Sequence, residues 1–197
     1  MQGIKILLSG FMIILLINQE TDWSKSMDKD GIIVYKRKLE DKRFSEILAV
    51  TTMNGSVEKF KSLITNVDGY IHWITDCKSA EIIDQSNANE ITYHMKLKVP
   101  FPFENRDIVQ QINLTESPDK LEVTISNQPD KIPREKKYER MIEAFGTWTI
   151  EAINESEVSI KFQYYADPSG EIPAWLVNAF IVKSPHQTLK NLRALMQ

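Results

Sequence analysis

Two arginines stand out as residues that could do chemistry, because each falls on a strand face that is otherwise apolar. In RDIVQQINL the apolar positions are Ile108, Ile112 and Leu114, and Arg106 and Gln110 share their phase. Successive side chains of a strand point to opposite sides of the sheet. A guanidinium can hold a phosphate or carboxylate through two parallel hydrogen bonds. Arg106 is therefore predicted either to hold the polar end of a ligand or to form half of a buried ion pair.

Arg140 is the second such arginine. In YERMIEAFGTWTI it is in phase with Ile142, Ala144 and Trp148. This phase predicts that Arg140 also points inward, unless a bulge at Gly146 shifts the register. An unpaired charge in a dry core costs several kcal/mol, so each arginine needs a partner or the inner face is not fully dry.

Groups for other kinds of chemistry are few. The sequence has one cysteine, Cys77, and three histidines, of which His94 falls on the polar face of its strand and is expected in solvent. A disulfide framework and a cysteine-built zinc site are excluded. No nucleophile-elbow, phosphate-loop or zinc-hydrolase pattern occurs. We therefore expect no metal, no cofactor and no catalytic residue.

Composition narrows the class of protein. The 197 residues are 42% hydrophobic and 26% charged, with 24 Lys and Arg against 27 Asp and Glu and a net charge of -3. This composition fits one globular domain, expected to be a monomer. A domain that grips nucleic acid through its phosphates is usually basic, so no nucleic-acid partner is expected.

Residues 1–20 form a separate segment. An apolar run from Ile6 to Ile17 follows a single charge, Lys5. A membrane span needs about 20 apolar residues, so this shorter run is typical of a secretory signal peptide. Residues 18–20 (NQE) offer no small-x-small cleavage site, which leaves an uncleaved N-terminal anchor as one alternative and a buried helix as another. We expect an exported protein, periplasmic or secreted, whose domain spans 21–197.

The rest of the chain predicts an α+β domain. Residues 22–29 resemble a short surface helix, and two strands at 31–39 and 44–53 read as a hairpin. Ser56 can cap a helix, and a second short helix follows. Residues 77–167 alternate between apolar and polar positions, as in an antiparallel sheet with one wet side. Residues 172–197 predict one long helix with Pro185 in its interior, where it should cause a kink.

Five segments in this order resemble the START domain, the lipid-transfer domain of the helix-grip (Bet v 1-like) superfamily, as a single-domain member of the bacterial type. They are GIIVYKR at 31–37, Trp73, PFPFENRDIV at 100–109, the spacing of Arg140, Gly146 and Trp148, and GEIPAWLVN with SPHQTLKNLR at 170–193. The resemblance implies a helix-grip fold, in which a curved antiparallel β-sheet wraps around a long C-terminal α-helix and encloses a hydrophobic cavity for one lipid.

The resemblance also bears on Arg106. In the family, the matching arginine lies in the cavity wall, and some members pair it with an acidic residue. The corresponding position here is Ser79, which departs from that pattern. Glu81 is in phase with Ser79 and is the candidate substitute partner.

The sequence thus predicts binding, and possible transfer, of a lipid or another hydrophobic small molecule; the alternative is a cyclase/aromatase-like or hydrolase-like enzyme with the same cavity. Carrier and sensor are not separated by the sequence. The basic loop at 128–137 is either solvated or in transient contact with anionic lipid headgroups. For each expected ligand contact the alternative is ordinary packing; the contacts are Arg106, Arg140, Gln110, Tyr93, Met95, Leu97, Ile108, Ile112, Trp148, Phe162, Tyr164, Trp175, Leu176 and Ala179.

Overall fold

The computed structural model describes residues 23–173, 176–177 and 179–197, with Ala179 described by its backbone only. The signal peptide or anchor predicted at 1–20 and the predicted ligand contact Trp175 lie outside these residues.

One curved sheet forms the body of the described chain. Its strands are β1 Ser24–Lys29, β2 Ile32–Lys38, β3 Ser45–Asn54, β4 Cys77–Asn87, β5 Glu90–Leu97, β6 Asn105–Ser117, β7 Lys120–Asn127, β8 Tyr138–Arg140, β9 Glu143–Asn154 and β10 Glu157–Asp167. The order across the sheet is β1-β2-β3-β10-β9-β7-β6-β5-β4. Neighbours on this path pair antiparallel, whereas the short β8 lies off the path and pairs parallel with the start of β6.

The helices lie at the connections and at the end of the chain. They are α1 Val57–Thr65, a 3₁₀ helix Val67–His72, a π-turn Ala179–Lys183 and α2 Ser184–Met196. The Ser56 hydroxyl accepts the Lys59 N–H at 3.1 Å, which confirms the predicted helix cap. No helix among the described residues is long and apolar enough to cross a membrane.

One predicted element is wrong, and the position of the proline in the last helix is right. Residues 24–29 form a strand that pairs with β2, because tertiary pairing overrides the weak helical pattern of this polar segment. Pro185 is the second residue of α2, but the π-turn Ala179–Lys183 runs directly into this helix, and Lys183 has helical backbone angles. Pro185 therefore lies inside a continuous helical segment, as predicted, and the wide π-turn comes directly before it.

The last helix covers the concave face of the sheet and is fixed near β2 and β3. Leu189 and Leu192 are completely buried against the core. The Arg193 guanidinium donates to the Asp30 carbonyl at 2.6 Å and to the Thr51 hydroxyl at 2.8 Å. The first turns of the helix, at Ser184, Pro185 and Thr188, line a cavity between the helix and the sheet.

Candidate ligand-binding cavity

An internal cavity of about 170 Å³ lies between the concave face of the sheet and the C-terminal helical segment. Its wall is apolar except for a few polar groups. Of the contacts expected from the sequence, the structure brings together on this wall Tyr93, Met95, Leu97, Arg106, Gln110, Ile112, Trp148, Phe162 and Tyr164. These side chains come from β5, β6, β9 and β10, so strand alternation placed them on the correct face.

Four other expected contacts lie elsewhere or are not described. Ile108 and Leu176 are buried, at 0% and 2% exposure, but they are covered by neighbouring side chains and do not reach the cavity surface. The side chain of Ala179, like Trp175, is outside what the structure describes.

Arg106 is 4% exposed and lines the cavity. Its guanidinium donates to the Pro168 carbonyl at 2.8 Å, to the Ser169 carbonyl at 3.2 Å and to the Glu104 carbonyl. It forms no ion pair with any described residue. Burial lowers the pKa of Arg106, and the more distant carboxylates of Glu139 and Glu104 only partly oppose that shift. The cation is therefore held in place by dipoles, without a carboxylate of the protein in contact with it.

Glu81 is not the partner of Arg106, so that prediction is wrong. Its side chain is 66% exposed and approaches His94 Nδ1 at 3.4 Å on the outer side of the sheet. Glu81 belongs to β4, an edge strand whose register shifts between Cys77 and Ser79 and again further along. Such irregularities defeat a simple count by twos.

Arg140 does not line the cavity, so the predicted inward position is also wrong. Met141 and Ile142 separate β8 from β9 and change the phase: Met141 faces the cavity, whereas Ile142 is 55% exposed. The Arg140 guanidinium donates to the Asp107 carboxylate on the outer face of β6, with contacts of 2.7 to 3.0 Å. Both side chains of this pair are fully buried.

His94 completes this outer cluster. It was expected in solvent but is 2% exposed, with Nε2 at 2.8 Å from Asp107 Oδ2. Burial by itself would raise the pKa of Asp107, but the hydrogen bonds from Arg140 and His94 outweigh burial and hold it below its ordinary value. Arg140 also donates to the carbonyls of Pro129, Ile132 and Pro133, and so fixes the 128–137 loop over the cluster.

A polar chain crosses the apolar wall of the cavity. The Tyr93 hydroxyl donates to Gln110 Oε1 at 2.8 Å, and Gln110 Nε2 donates to the Tyr164 hydroxyl at 2.9 Å. Burial raises the pKa of Tyr164 to about 12, so the phenol is protonated at neutral pH. The Tyr164 ring lies against Gly146, where an added Cβ would come within 2.7 Å of Tyr164 Cδ2. The absence of a side chain at Gly146 therefore leaves the space that the Tyr164 ring occupies in the cavity wall.

Sequence reasoning missed several cavity residues. Ile47 on β3 and Ile125 on β7 lie on strands whose alternation could have indicated them, whereas others come from elements without strand alternation. Tyr70 and Trp73 come from the 3₁₀ helix and its end, and Met141 comes from the break before β9. For Tyr70 and Trp73, the available signal was the pair of bulky aromatic side chains in one short helix. Among the described residues no His, Cys, Asp or Glu side chains converge in a group that could hold a metal ion.

The family is decided by a match over most of the chain. Residues 56–193 match the model of a family described as "Polyketide cyclase / dehydrase and lipid transport". The chain belongs to this family. The structure also resembles a crystal structure, that of the STAR-related lipid transfer protein (fragment 25-204) from Xanthomonas axonopodis. The two superpose with a TM-score of 0.80 and are 28% identical in sequence, and the match covers 89% of this chain and 99% of that one. These matches confirm the predicted resemblance to the START domain and the predicted helix-grip fold.

Two curated sequences are also similar to this chain. An uncharacterized protein of Pseudomonas aeruginosa is 29% identical over 174 residues, covering 88% of this chain and 86% of that protein. The phosphatidylcholine transfer protein of Mus musculus is 23% identical over 169 residues, covering 80% of this chain and 75% of that one. The family description also includes cyclases, so membership alone does not separate a carrier from an enzyme.

Proposed function

We propose that this protein binds a lipid or lipid-like molecule in the cavity, with an anionic or strongly polar end of the ligand at Arg106, and that it carries that molecule through water. One observation carries the proposal: a buried guanidinium lines an apolar cavity, and its protein partners among the described residues are carbonyl oxygens. A ligand phosphate or carboxylate would supply the missing negative charge through a charge-assisted hydrogen bond.

The apolar wall accounts for the rest of the ligand. Each buried CH₂ contributes about 0.8 kcal/mol, so a carrier needs an interior nearly as apolar as a bilayer. The cavity of about 170 Å³ is smaller than the roughly 300–1,000 Å³ of typical ligand pockets. A whole lipid therefore enters only if part of the wall moves. The π-turn at Ala179–Lys183 contributes Ile181 to the wall and has the least regular helical geometry, which makes it our candidate for that movement.

A carrier is favoured over a cyclase-like or hydrolase-like enzyme by the chemistry of the wall. The described lining residues include neither histidine nor cysteine. Cys77 lies nearby, but burial raises the pKa of its thiol to about 11, so it is scarcely ionised at neutral pH and is a poor nucleophile.

Mass spectrometry of organic extracts tests the proposal. Protein purified under native conditions should release a lipid with an acidic or strongly polar end, and the Arg106→Met variant should release much less of it. Arg106→Lys is the matched control, since it keeps the charge but loses the planar fork, and should retain an intermediate amount. Extracts without any lipid from wild-type protein, together with no binding of added fatty acid, would contradict the proposal.

Export is a separate proposal that rests on residues 1–20. N-terminal sequencing of the mature protein, together with cell fractionation, tests it. A shortened or membrane-attached chain outside the cytoplasm supports export, and a full-length cytoplasmic product contradicts it.

Transient membrane contact and a monomeric state are likewise proposals. Phe101 is 96% exposed between two prolines at the loop that precedes β6. Co-sedimentation with anionic vesicles should decrease for Phe101→Ser if this loop contacts the bilayer. Size-exclusion chromatography with light scattering tests the monomer.

A further inference from the structure

Seven side chains form a closed belt around the cavity. On one side the aromatic rings are in contact from Trp73 to Trp148, Phe162 and Tyr164. The distances between successive ring centroids are 6.0, 3.9 and 5.3 Å. On the other side, Trp73 contacts Tyr70 at 5.4 Å, and Tyr70 contacts Tyr93 at 5.2 Å. Gln110 closes the belt through its hydrogen bonds to Tyr93 and Tyr164. All seven side chains line the cavity.

Two hydrogen-bond donors of this belt are not used by the described protein. Trp73 is 1% exposed, and its buried indole N–H has no partner among the described residues. The Tyr164 hydroxyl accepts from Gln110, and its own hydrogen meets no acceptor among those residues. By contrast, the Tyr70 hydroxyl donates to the Ile64 carbonyl and the Tyr93 hydroxyl donates to Gln110. An unpaired buried donor costs about 1–3 kcal/mol, so most buried polar groups are hydrogen-bonded.

The belt lies at a defined distance from Arg106. Gln110 is four residues further along β6 on the same face. With a rise of about 3.3 Å per residue, the two positions are about 13 Å apart. A ligand group at the belt is therefore in the body of the ligand, away from the end that Arg106 holds.

We propose that the belt binds a neutral hydrogen-bond acceptor, a carbonyl oxygen, in the middle of the ligand's apolar chain. This inference rests on the proposed function and names the class of ligand: an oxygenated acyl chain rather than a plain hydrocarbon chain. A carbonyl oxygen has two lone pairs and no hydrogen. It therefore matches a wall that offers the spare Tyr164 hydroxyl and is otherwise apolar. The Trp73 N–H lies just beneath the surface of this wall, and a ligand reaches it when the wall moves to admit the ligand. A site built to hydrogen-bond a substrate group discriminates against the analogue that lacks it, because its polar groups then stay unpaired.

The test compares two fatty acids that differ only in a mid-chain ketone. Binding of 10-oxooctadecanoic acid and of octadecanoic acid is measured by displacement of a fluorescent hydrophobic dye. Wild-type protein should bind the oxo acid about 3- to 10-fold more tightly if one neutral hydrogen bond forms, and more than about 10-fold more tightly if both donors are used. Tyr164→Phe and Trp73→Phe should each reduce this ratio, and the double variant should bring it close to one.

Two controls separate the inference from the proposed function. Arg106→Met should weaken binding of both acids alike and leave their ratio unchanged. Affinity for octadecanoic acid and the melting temperature show that the cavity of each variant is intact; if Trp73→Phe fails to fold, Tyr164→Phe alone decides. Equal binding of the two acids by wild type, or a preference that survives in the folded variants, overturns the inference but leaves a lipid carrier. If wild type binds neither acid, the proposed function fails and the inference fails with it.

Discussion

Arg106 on β6 and Arg140 on β8 are both almost completely buried, at 4% and 2% exposure, but different groups meet their guanidiniums. Arg140 faces the Asp107 carboxylate on the outer side of the sheet, with His94 beside it. Arg106 faces the cavity and meets carbonyl oxygens of Glu104, Pro168 and Ser169. The two arginines are close in the fold but lie on opposite faces of the sheet. Asp107, the partner of Arg140, directly follows Arg106 on β6, and successive residues of a strand point to opposite faces.

This difference shows how burial alone fails to indicate a role. The charge of Arg140 is neutralised within the protein, and its remaining hydrogen bonds fix the 128–137 loop. That arrangement is structural. The charge of Arg106 is solvated by dipoles and not neutralised by a contacting carboxylate. Such a cation can accept an external anion without breaking an ion pair of the fold.

The largest expected effect is on stability, from loss of Arg140. The variant Arg140→Met leaves the Asp107 carboxylate buried without its main partner, so the free energy of unfolding should fall by about 3–5 kcal/mol. Urea denaturation measures it. The double variant Arg140→Met with Asp107→Leu should recover much of the loss, because no uncompensated charge is then left. If the single variant loses less than about 1 kcal/mol, far below the range for a broken buried ion pair, then Arg140 is not the structural arginine of the two.

The next effect is on binding, from loss of Arg106. In Arg106→Met the affinity for octadecanoic acid should fall by about 1.5–3 kcal/mol, the range for a hydrogen bond to a charged group. Stability should fall less than in Arg140→Met, because carbonyl oxygens rather than a carboxylate lose their partner. Dye displacement and urea denaturation on the same samples give both values. If stability collapses while ligand affinity persists in the folded fraction, Arg106 is a structural residue after all.

A smaller loss of stability is expected at acidic pH, because protonation removes the charge of Asp107 but keeps its side chain in place. The folded-state pKa of Asp107 is below the ordinary value, so its contribution to stability is full above the unfolded pKa of about 3.9. The contribution is lost as pH falls through the lower folded pKa. The charged and titratable groups that face the Asp107 carboxylate or its partner His94 are Arg140, Glu81 and Glu135.

Denaturation curves between neutral and acidic pH check this prediction. The wild-type protein should lose stability in acid more steeply than Asp107→Asn, which has no proton to take up at this position. Parallel slopes for the two proteins would show that other carboxylates account for acid denaturation and that the Asp107 pair contributes nothing to it.

The smallest effect is expected at Glu81, which sequence reasoning had proposed as the partner of Arg106. Its side chain is 66% exposed and touches only the edge of the outer cluster, through His94. The variant Glu81→Gln should change the free energy of unfolding by less than about 0.5 kcal/mol, as for most surface substitutions. Octadecanoic acid should bind unchanged. A clear loss of ligand affinity would instead link Glu81 to the cavity cation.

Strand alternation predicted a part of the cavity wall. Tyr93, Met95 and Leu97 on β5, with Arg106 and Gln110 on β6, follow from the two-residue period of regular strands. The helix cap at Ser56 was equally local and equally predictable. Where the strands are irregular, at Met141–Ile142 and along β4, counting by twos gave the wrong face for Arg140 and the wrong partner for Arg106.

The fold class, the inward face of the regular strands and the inward position of Arg106 could all be predicted from the amino-acid sequence. These features depend on local periodicity, which each segment carries in its own residues. Three features became visible only in the folded protein: which arginine has a carboxylate partner, the burial of His94, and the spare donors of Trp73 and Tyr164 in one belt. Pairing and burial depend on which elements meet across the sheet, and the β6–β8 contact joins residues 33 positions apart, so no local pattern contains this information.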